Sequence, residues 1–492
     1  MSVPRPDGRT PVPLDRLAAL AGVRPGGGWD RIGVSGVTLD SRSVRRGDLY
    51  AALPGAVTHG GAFVTAAIGA GAVAVLTEPG VVVPEQVPVL AVDRPRRFVG
   101  GLAAEVYGHP AAAMTMIGVT GTNGKTTVTY LLDAALRACG RVTGLIGTIE
   151  TRLRDEVIAS VRTTPEAPDL HALLAVARER GVQAVAMEVS SHALDQHRVD
   201  GITYDVGVFT GLSQDHLDYH GTMERYFAAK ASLFEPGRCR RAVICVDDAW
   251  GRRLARQVRI PVVTYAVGDG DADWRAGEGT ADARGSQVPV QGPHGADLLL
   301  GVPLPGSFNV ANALAALAAG ACAGLDVARA AAGVAAAGGP PGRLERVEAG
   351  QAFTALVDYA HTPDAVARVL AALRPLTRGR LVVVLGAGGD RDHGKRPAMA
   401  RAAVAGSDLA VFTSDNPRSE DPMAILGEMT AGLSGRFVVE PDRAAAIALA
   451  AAGLESGDTL LVAGKGHETG QESAGVVRPF DDRDVLRRAI AS

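Results

Sequence analysis

The stretch Gly118–Thr127, "GVTGTNGKTT", decides how the chain is read. It follows the apolar run "AMTMI" (113–117) and leads into "TTVTYLLDAALRACG" (126–140). The pattern is a buried strand, a glycine-rich turn, and a helix that opens with Lys125 and Thr126. Backbone N–H groups in such a turn surround phosphates. Lys125 meets the terminal phosphates and Thr126 offers its hydroxyl to Mg²⁺. The general pattern G-x-x-x-x-G-K-[ST] asks for glycine at 119, where Val119 stands. Here Gly118, Gly121 and Gly124 recur at every third position instead. The alternative, an ordinary strand–helix turn with a chance GKT, does not account for the agreement of strand, loop and helix.

Outward from this loop, β-branched runs alternate with Ala/Leu-rich helical stretches, which predicts α/β layers with mostly parallel sheets. Three blocks are expected. Residues 1–112 hold short strands such as "GVSGVTLD" and "AVAVLTE". Residues 113–340 hold the loop, further buried strands in "AVAMEVS", "VGVFTG" and "RAVICVDD", and a polar stretch, 267–304, expected to form hairpins at an edge. After the Pro/Gly link "AGGPPGRLE", residues 341–492 hold strands in "TALVDYA", "LVVVLGAG", "LAVFTSD" and "TLLVAGKG". Each ends in a polar or glycine-rich segment, where open α/β sheets bind ligands.

The 492 residues are 47% hydrophobic and 21% charged, with a formal net charge of -3, so no nucleic-acid or membrane partner is expected. The four cysteines form no C-x-x-C pair, which argues against zinc or a disulfide scaffold. "MSVPRPDGRTPVP" has no apolar signal core, and a cytoplasmic chain is expected.

"TGTNGKTT" closely resembles the nucleotide loop of the Mur ligase family, ATP-dependent enzymes that add amino acids to the peptidoglycan precursor. Folylpolyglutamate synthetases use a similar loop. By this resemblance Gly121, Thr122, Asn123, Gly124, Lys125, Thr126 and Thr127 bind ATP. The fold implied has three domains: an N-terminal UDP-MurNAc-binding domain, a central P-loop ATPase domain and a C-terminal Rossmann-like domain.

In "AMEVSSHALDQHRV" (186–199), Glu188 at a strand end is by itself an ordinary ion-pair partner or a Mg²⁺ ligand. The segment resembles the family's metal- and sugar-binding stretch. This implies Glu188 on Mg²⁺, and Ser190, Gln196 and Arg198 on the UDP-MurNAc-peptide. "LSQDHLDYHGTMERYFAAKASLF" (212–234) is, from composition alone, either a solvated capped loop or a ligand cluster. It is similar to the family's "DHLDYHG" motif and the modified lysine that follows. That implies His216 on a second Mg²⁺, and a CO₂-derived carbamate on Lys230 that also binds metal. Lys125, Glu188, His216 and Lys230 are the implied catalytic group. The family usually has Asn where Gly211 stands in "FTGLS", so one polar side chain near the metals is missing.

"TLDSRSVRRGDLYAALPG" (38–55) resembles the uridine-binding segment, with Leu39 and Ser41 at the uracil–ribose end and Ala56, Val57 and Thr58 lining it. "THGG" replaces the usual Asp-Gly-His. "RTTP" (162–165) implies Thr163 and Thr164 at the sugar-phosphate. "GSFNVANALAA" (306–316) puts Asn309 and Asn312 on one helix face, which the resemblance sets beside adenine. "GRLE" (342–345) and "VDYAHTPDA" (357–365) imply Arg343, Asp358 and His361 on the nucleotide from the third domain.

"GAGGDRDHGKRP" (386–397) and "TSDNPRSEDP" (413–422) carry Arg391 and Arg418. Guanidinium pairs bidentately with carboxylate. "DNPR" resembles the form found in family members that add diaminopimelate, whose distal carboxylate gives this arginine a partner that lysine lacks. Asp415, Asn416, Pro417, Arg418 and Arg391 are then amino-acid contacts. "GKGHE" (464–468) adds Gly464 for close backbone approach and Glu468 for the distal ammonium. The implied reaction uses ATP, two Mg²⁺ ions, UDP-MurNAc-dipeptide and diaminopimelate, and runs through an acyl-phosphate in a monomer. The rivals are a folylpolyglutamate synthetase, a lysine-adding relative and a non-catalytic binding regulator.

Overall fold

The computed structural model describes residues 3–8, 10–55, 58–268 and 270–491. Ala56 and Val57, expected at the uridine, lie outside the described residues. Three principal sheets follow one another along the chain. The first is a four-stranded parallel sheet of Gly36–Thr38, Asp48–Ala51, Ala74–Thr77 and Val89–Ala91, in that order. The helix Arg96–Val106 beneath it shares Val99, Leu102 and Ala103 with Ala172 and Ala175 of the next unit, in one apolar cluster.

The second sheet has twelve strands. Its parallel centre runs Thr143–Ile146, Ala184–Glu188, Thr115–Thr120, Val206–Phe209, Ala242–Cys245, Val262–Val267. Thr115–Thr120 is the first of these in the chain but lies in the middle. The chain first builds to one side of it and then crosses to the other. The crevice at that reversal opens at the carboxyl end of Thr115–Thr120, where the glycine-rich loop stands. The stretch expected to be hairpins is antiparallel: Gly285–Gly292 pairs with both Thr280–Asp282 and Ala296–Val302 at the sheet's edge. On one face the helix Lys125–Ala138 packs against Ser307–Cys322 and Val327–Ala335. A Cβ added to Gly333 would stand 2.6 Å from the Cβ of Ala138, so small residues set how closely these helices approach.

The third sheet orders Glu345–Arg346, Thr354–Asp358, Thr459–Ala463, Leu381–Ala387, Leu409–Ser414 and Phe437–Val439, all parallel except the first. Asp358 pairs with Ala463 and Ala387 with Ser414, so the four expected strands end at one edge. Strands Thr143–Ile146, Val262–Val267 and Phe437–Val439, and the hairpin Gly470–Ser473/Val476–Pro479, were not among those read from sequence. Phe437–Val439 is an edge strand and the hairpin lies outside the three sheets, whereas Thr143–Ile146 and Val262–Val267 sit inside the second sheet. Among the described residues, no helix is long and apolar enough to cross a membrane.

Candidate active site

The three glycines of the loop do different jobs. Gly121 (φ 151°) and Gly124 (φ 85°) take backbone angles that side chains rarely adopt. A Cβ on Gly121 would lie 1.9 Å from Thr210 Oγ1, and one on Gly124 2.4 Å from Asn312 Oδ1. Gly118 belongs to the strand, not the turn, and a Cβ there would press 2.8 Å from the ring of Tyr204. Asn312 donates to Asn309 Oδ1 (3.0 Å) and Asn309 donates to Pro305 O (2.8 Å), which holds the Asn312 side chain against Gly124 of the loop.

At the helix start, Lys125 Nζ folds back to Gly121 O and Thr122 O, both at 2.9 Å. Thr126 Oγ1 donates to Glu188 Oε2 at 3.0 Å. Glu188 is buried and also accepts from Thr148 N (2.8 Å) and Thr148 Oγ1 (3.1 Å). Thr148 was not singled out in the sequence, because it lies in an unremarked turn forty residues before its partner. Among the described residues no three His, Cys, Asp or Glu side chains group to hold a metal. The donors present, one carboxylate and one hydroxyl, nonetheless suit Mg²⁺, which keeps waters and takes substrate phosphate oxygens.

The buried Lys230 comes from the Thr222-capped helix Met223–Ala231. Its amine donates to the same Gly121 O at 2.6 Å and lies over the Tyr226 ring at 4.7 Å. Burial, and then the charge of Lys125, hold its pKa well below 10.5. His216 (φ 53°) precedes the short helix Leu217–His220, stands 4.9 Å from the His192 ring and pairs with Asp215 at 3.4 Å. Burial lowers its imidazole to about 4, against the pull of Asp215. Gly211 takes φ 124° and its carbonyl accepts from Thr122 N. A side chain there would meet the Asp248 carboxylate at 2.8 Å, so this backbone favours glycine.

These groups line a cavity of about 1070 Å³ together with Thr163, Thr164, Ser190 and Arg198. Thr164 Oγ1 donates to Glu188 O at 2.9 Å, tying "RTTP" to the strand that ends in Glu188. Glu166 pairs with Arg198 (3.0 Å), Arg162 (3.0 Å) and Arg96 (2.9 Å), so three guanidinium groups share one carboxylate. Gln196 Oε1 accepts from Arg198 Nη2 at 2.6 Å.

The third sheet closes the cavity. Arg343 Nη2 reaches Thr126 Oγ1 at 3.3 Å, and its guanidinium covers Tyr359 at 4.5 Å. Asp358 accepts from Leu344 N and Ala360 N, at 2.8 and 2.7 Å, and burial raises its pKa even with Arg343 close by. His361 lines the cavity, and burial lowers its pKa.

The candidate amino-acid residues gather at the carboxyl edge of the third sheet, outside the residues that line this cavity. Arg418 (φ 54°) donates to Gly389 O at 2.6 Å and faces Glu472 at 3.6 Å. Its loop packs on the one holding Arg391: a Cβ on Gly388 would lie 3.1 Å from Arg418 Nη1 and 3.8 Å from Arg391 Cγ. Asn416 donates to Glu468 Oε2 at 2.7 Å. Gly464 (φ 111°) passes Asp415. Lys395, between these loops and the cavity, is half-buried; burial lowers its pKa, while Asp215 and Asp415 oppose. Leu39, Ser41 and Thr58 are not among the residues lining the cavity. Ser41 opens a one-turn helix capped by Asp40 in the first unit.

Three family models match the chain in order: "Mur ligase family, catalytic domain" over residues 33–107, "Mur ligase middle domain" over 119–320, and "Mur ligase, glutamate ligase domain" over 342–466. A protein of Streptomyces coelicolor named UDP-N-acetylmuramoyl-L-alanyl-D-glutamate--2,6-diaminopimelate ligase is 56% identical, covering 99% of this chain and 98% of its own. A protein of the same name from Streptomyces avermitilis is 55% identical over 100% of this chain and 99% of its own. A solved structure of such a ligase superposes with a TM-score of 0.71 at 33% identity, covering 98% of this chain and 99% of its own.

Proposed function

The chain belongs to the Mur ligase family, and from that premise we infer that it joins diaminopimelate to UDP-N-acetylmuramoyl-L-alanyl-D-glutamate, converting ATP to ADP and phosphate, in peptidoglycan synthesis. The observation that carries the reaction type is the convergence of Lys125, Thr126 and Glu188 with Arg343 on one cavity from two separate sheets. The substrates, ATP and a UDP-linked precursor, support a cytoplasmic enzyme.

The turn Gly121–Gly124 cradles the triphosphate with its N–H groups, and the amine of Lys125 swings from the loop carbonyls to the γ-phosphate. Asn309 and Asn312 border the adenine. Arg343, Asp358 and His361 cover the nucleotide from the third sheet. Thr126 and Glu188 would hold one Mg²⁺, and His216 with a carbamate on Lys230 would hold a second. Mg²⁺ bound there offsets charge on the phosphoryl oxygens. Lys230 fits the modification, since a buried amine with lowered pKa is neutral enough to attack CO₂. The N–C bond forms as one C=O π bond of CO₂ opens onto oxygen, the nitrogen loses a proton, and the neutral amine becomes an anionic carbamate.

Thr163, Thr164, Ser190, Gln196 and Arg198 hold the UDP-MurNAc-peptide, with Leu39, Ser41 and Thr58 at its uridine end. A carboxylate of the peptide's glutamate attacks the γ-phosphorus and the bond to ADP breaks, leaving an acyl-phosphate. The amine of diaminopimelate attacks its carbonyl carbon. The C–O bond to phosphate breaks, the amine loses a proton, and a peptide bond remains. Arg391 and Arg418 receive the carboxylates of the amino acid. Asp415, Asn416, Pro417 and Gly464 shape its seat, and Glu468 receives the distal ammonium.

The test is phosphate release from MgATP and UDP-MurNAc-L-Ala-D-Glu with meso-diaminopimelate, LL-diaminopimelate, lysine or no amino acid. Release with a diaminopimelate, and a tripeptide product by mass, is expected. Release with lysine alone overturns the assignment of Arg418.

A further inference from the structure

Lys465 lies between Gly464 and Glu468, two residues already assigned to the amino-acid seat, yet its own side chain is wholly buried. The glycines on either side both take positive φ, 111° at Gly464 and 54° at Gly466, and this turn carries the lysine inward. The turn is itself braced, because a Cβ on Gly342 would lie 2.1 Å from His467 N.

The ammonium has three partners. It donates to Asn416 Oδ1 and to Glu468 Oε2, each at 3.0 Å, and stands 3.6 Å from Asp415 Oδ1. That Asp415 oxygen is buried and makes no hydrogen bond. Asn416 Oδ1 also accepts from Glu472 N at 3.0 Å. Two donors on one oxygen permit one amide orientation, with Nδ2 turned to Glu468 at 2.7 Å. Glu468 Oε2 is thus taken twice within the seat, while its side chain stays about a third exposed at 32%. Both of these bonds go to the one oxygen, Oε2, and not to its partner. Lys465 also stands between two carboxylates, 3.6 Å from Asp415 and 3.0 Å from Glu468.

We propose that Lys465 is a positioning residue for the amino-acid substrate. It fixes the orientation of Asn416 and, together with it, holds Glu468 Oε2, so that the other carboxylate oxygen is presented to the distal ammonium of diaminopimelate. This rests on the reading of the seat given above. Lys465 touches no substrate atom. It acts through its two neighbours.

The test uses the full-length enzyme and begins with wild type. If wild type does not turn over diaminopimelate, the reading of the seat fails; the inference about Lys465 is judged only against an active wild type. In Lys465→Met, KM for diaminopimelate is expected to rise about tenfold or more, while KM for ATP and for the UDP-MurNAc-dipeptide stays within about twofold. Combined with Glu468→Gln, the losses are expected to be strongly non-additive, because both changes break one unit. Lys465→Gln, which keeps a donor, is expected to fall between wild type and Lys465→Met. An unchanged KM for diaminopimelate overturns the proposal. So does a uniform rise in all three KM values with a lowered melting temperature, or additivity with Glu468→Gln. Failure of both Lys465 variants to fold would also overturn it, since it assigns the lysine a purely structural role.

Discussion

Two regions of this molecule bury cations, and they treat them in opposite ways. In the central unit, Lys125 and Lys230 converge on a single carbonyl oxygen, that of Gly121, at 2.9 and 2.6 Å. Their hydrogen bonds go to backbone carbonyls rather than carboxylates, and burial lowers both pKa values. In the C-terminal unit each fully buried cation is matched. Arg443 makes two 2.7 Å bonds to Asp482, both side chains wholly buried, and also holds Ser414 O and Ala463 O. Arg396 bonds Glu420 and Glu428, and Lys465 bonds Glu468. A buried charge without a counter-charge is costly to keep. Lysines left in that state are poised for something anionic: a phosphate for Lys125, a carbamate in place of the charge for Lys230. Arg443 and Arg396, matched and wholly buried, are scaffold. Arg443 pins the last residues of two strands just before the loops 415–418 and 464–468.

The contrast breaks first, if it breaks, at Lys125. Lys125→Met is expected to lower kcat about 10³-fold. Its melting temperature should be unchanged or raised, because an unmatched cation is removed. A variant that is both unfolded and inactive would make Lys125 scaffold.

Arg443→Met should do the reverse, costing on the order of 3 kcal/mol in urea unfolding, because Asp482 is left buried and alone. Adding Asp482→Leu should restore most of that loss. No restoration would mean that the carbonyl contacts at Ser414 and Ala463, rather than the ion pair, hold the edge.

The smallest effect concerns Lys230. Its folded pKa lies below the ordinary 10.5, so between the two values the unfolded chain binds more protons and stability rises with pH. In metal- and bicarbonate-free protein, Lys230→Met should therefore be the more stable form at neutral pH. The gap is about 1.4 kcal/mol for each unit of lowering and should close as pH rises toward 10.5. A gap that does not change with pH would remove Lys230 from the unmatched class.

Much of this was legible along the chain. The loop, its strand and its helix are contiguous, so their geometry is set by neighbours in sequence. The four C-terminal strands are continuous apolar runs. Thr148 was not legible, because nothing near it announces a bond to Glu188. The cluster of Arg96, Arg162 and Arg198 around Glu166 joins residues from separate segments. Lys465 stands inside the quoted motif "GKGHE", yet its burial and its bond to Asn416 are invisible in one dimension. Gly118 was counted with the loop, but it serves the contact with Tyr204.

The sequence by itself determined the layered α/β architecture, the glycine-rich loop and the order of the motifs, because apolar periodicity and turn residues act over a few neighbouring positions. The tertiary structure alone decided which cations are matched and which are not. Arg443 and Asp482 lie 39 residues apart, and Arg396 and Glu420 lie 24 apart. Even the sequence neighbours Lys465 and Glu468 are matched inside the protein only because the fold turns the lysine inward, of which local pattern carries no record.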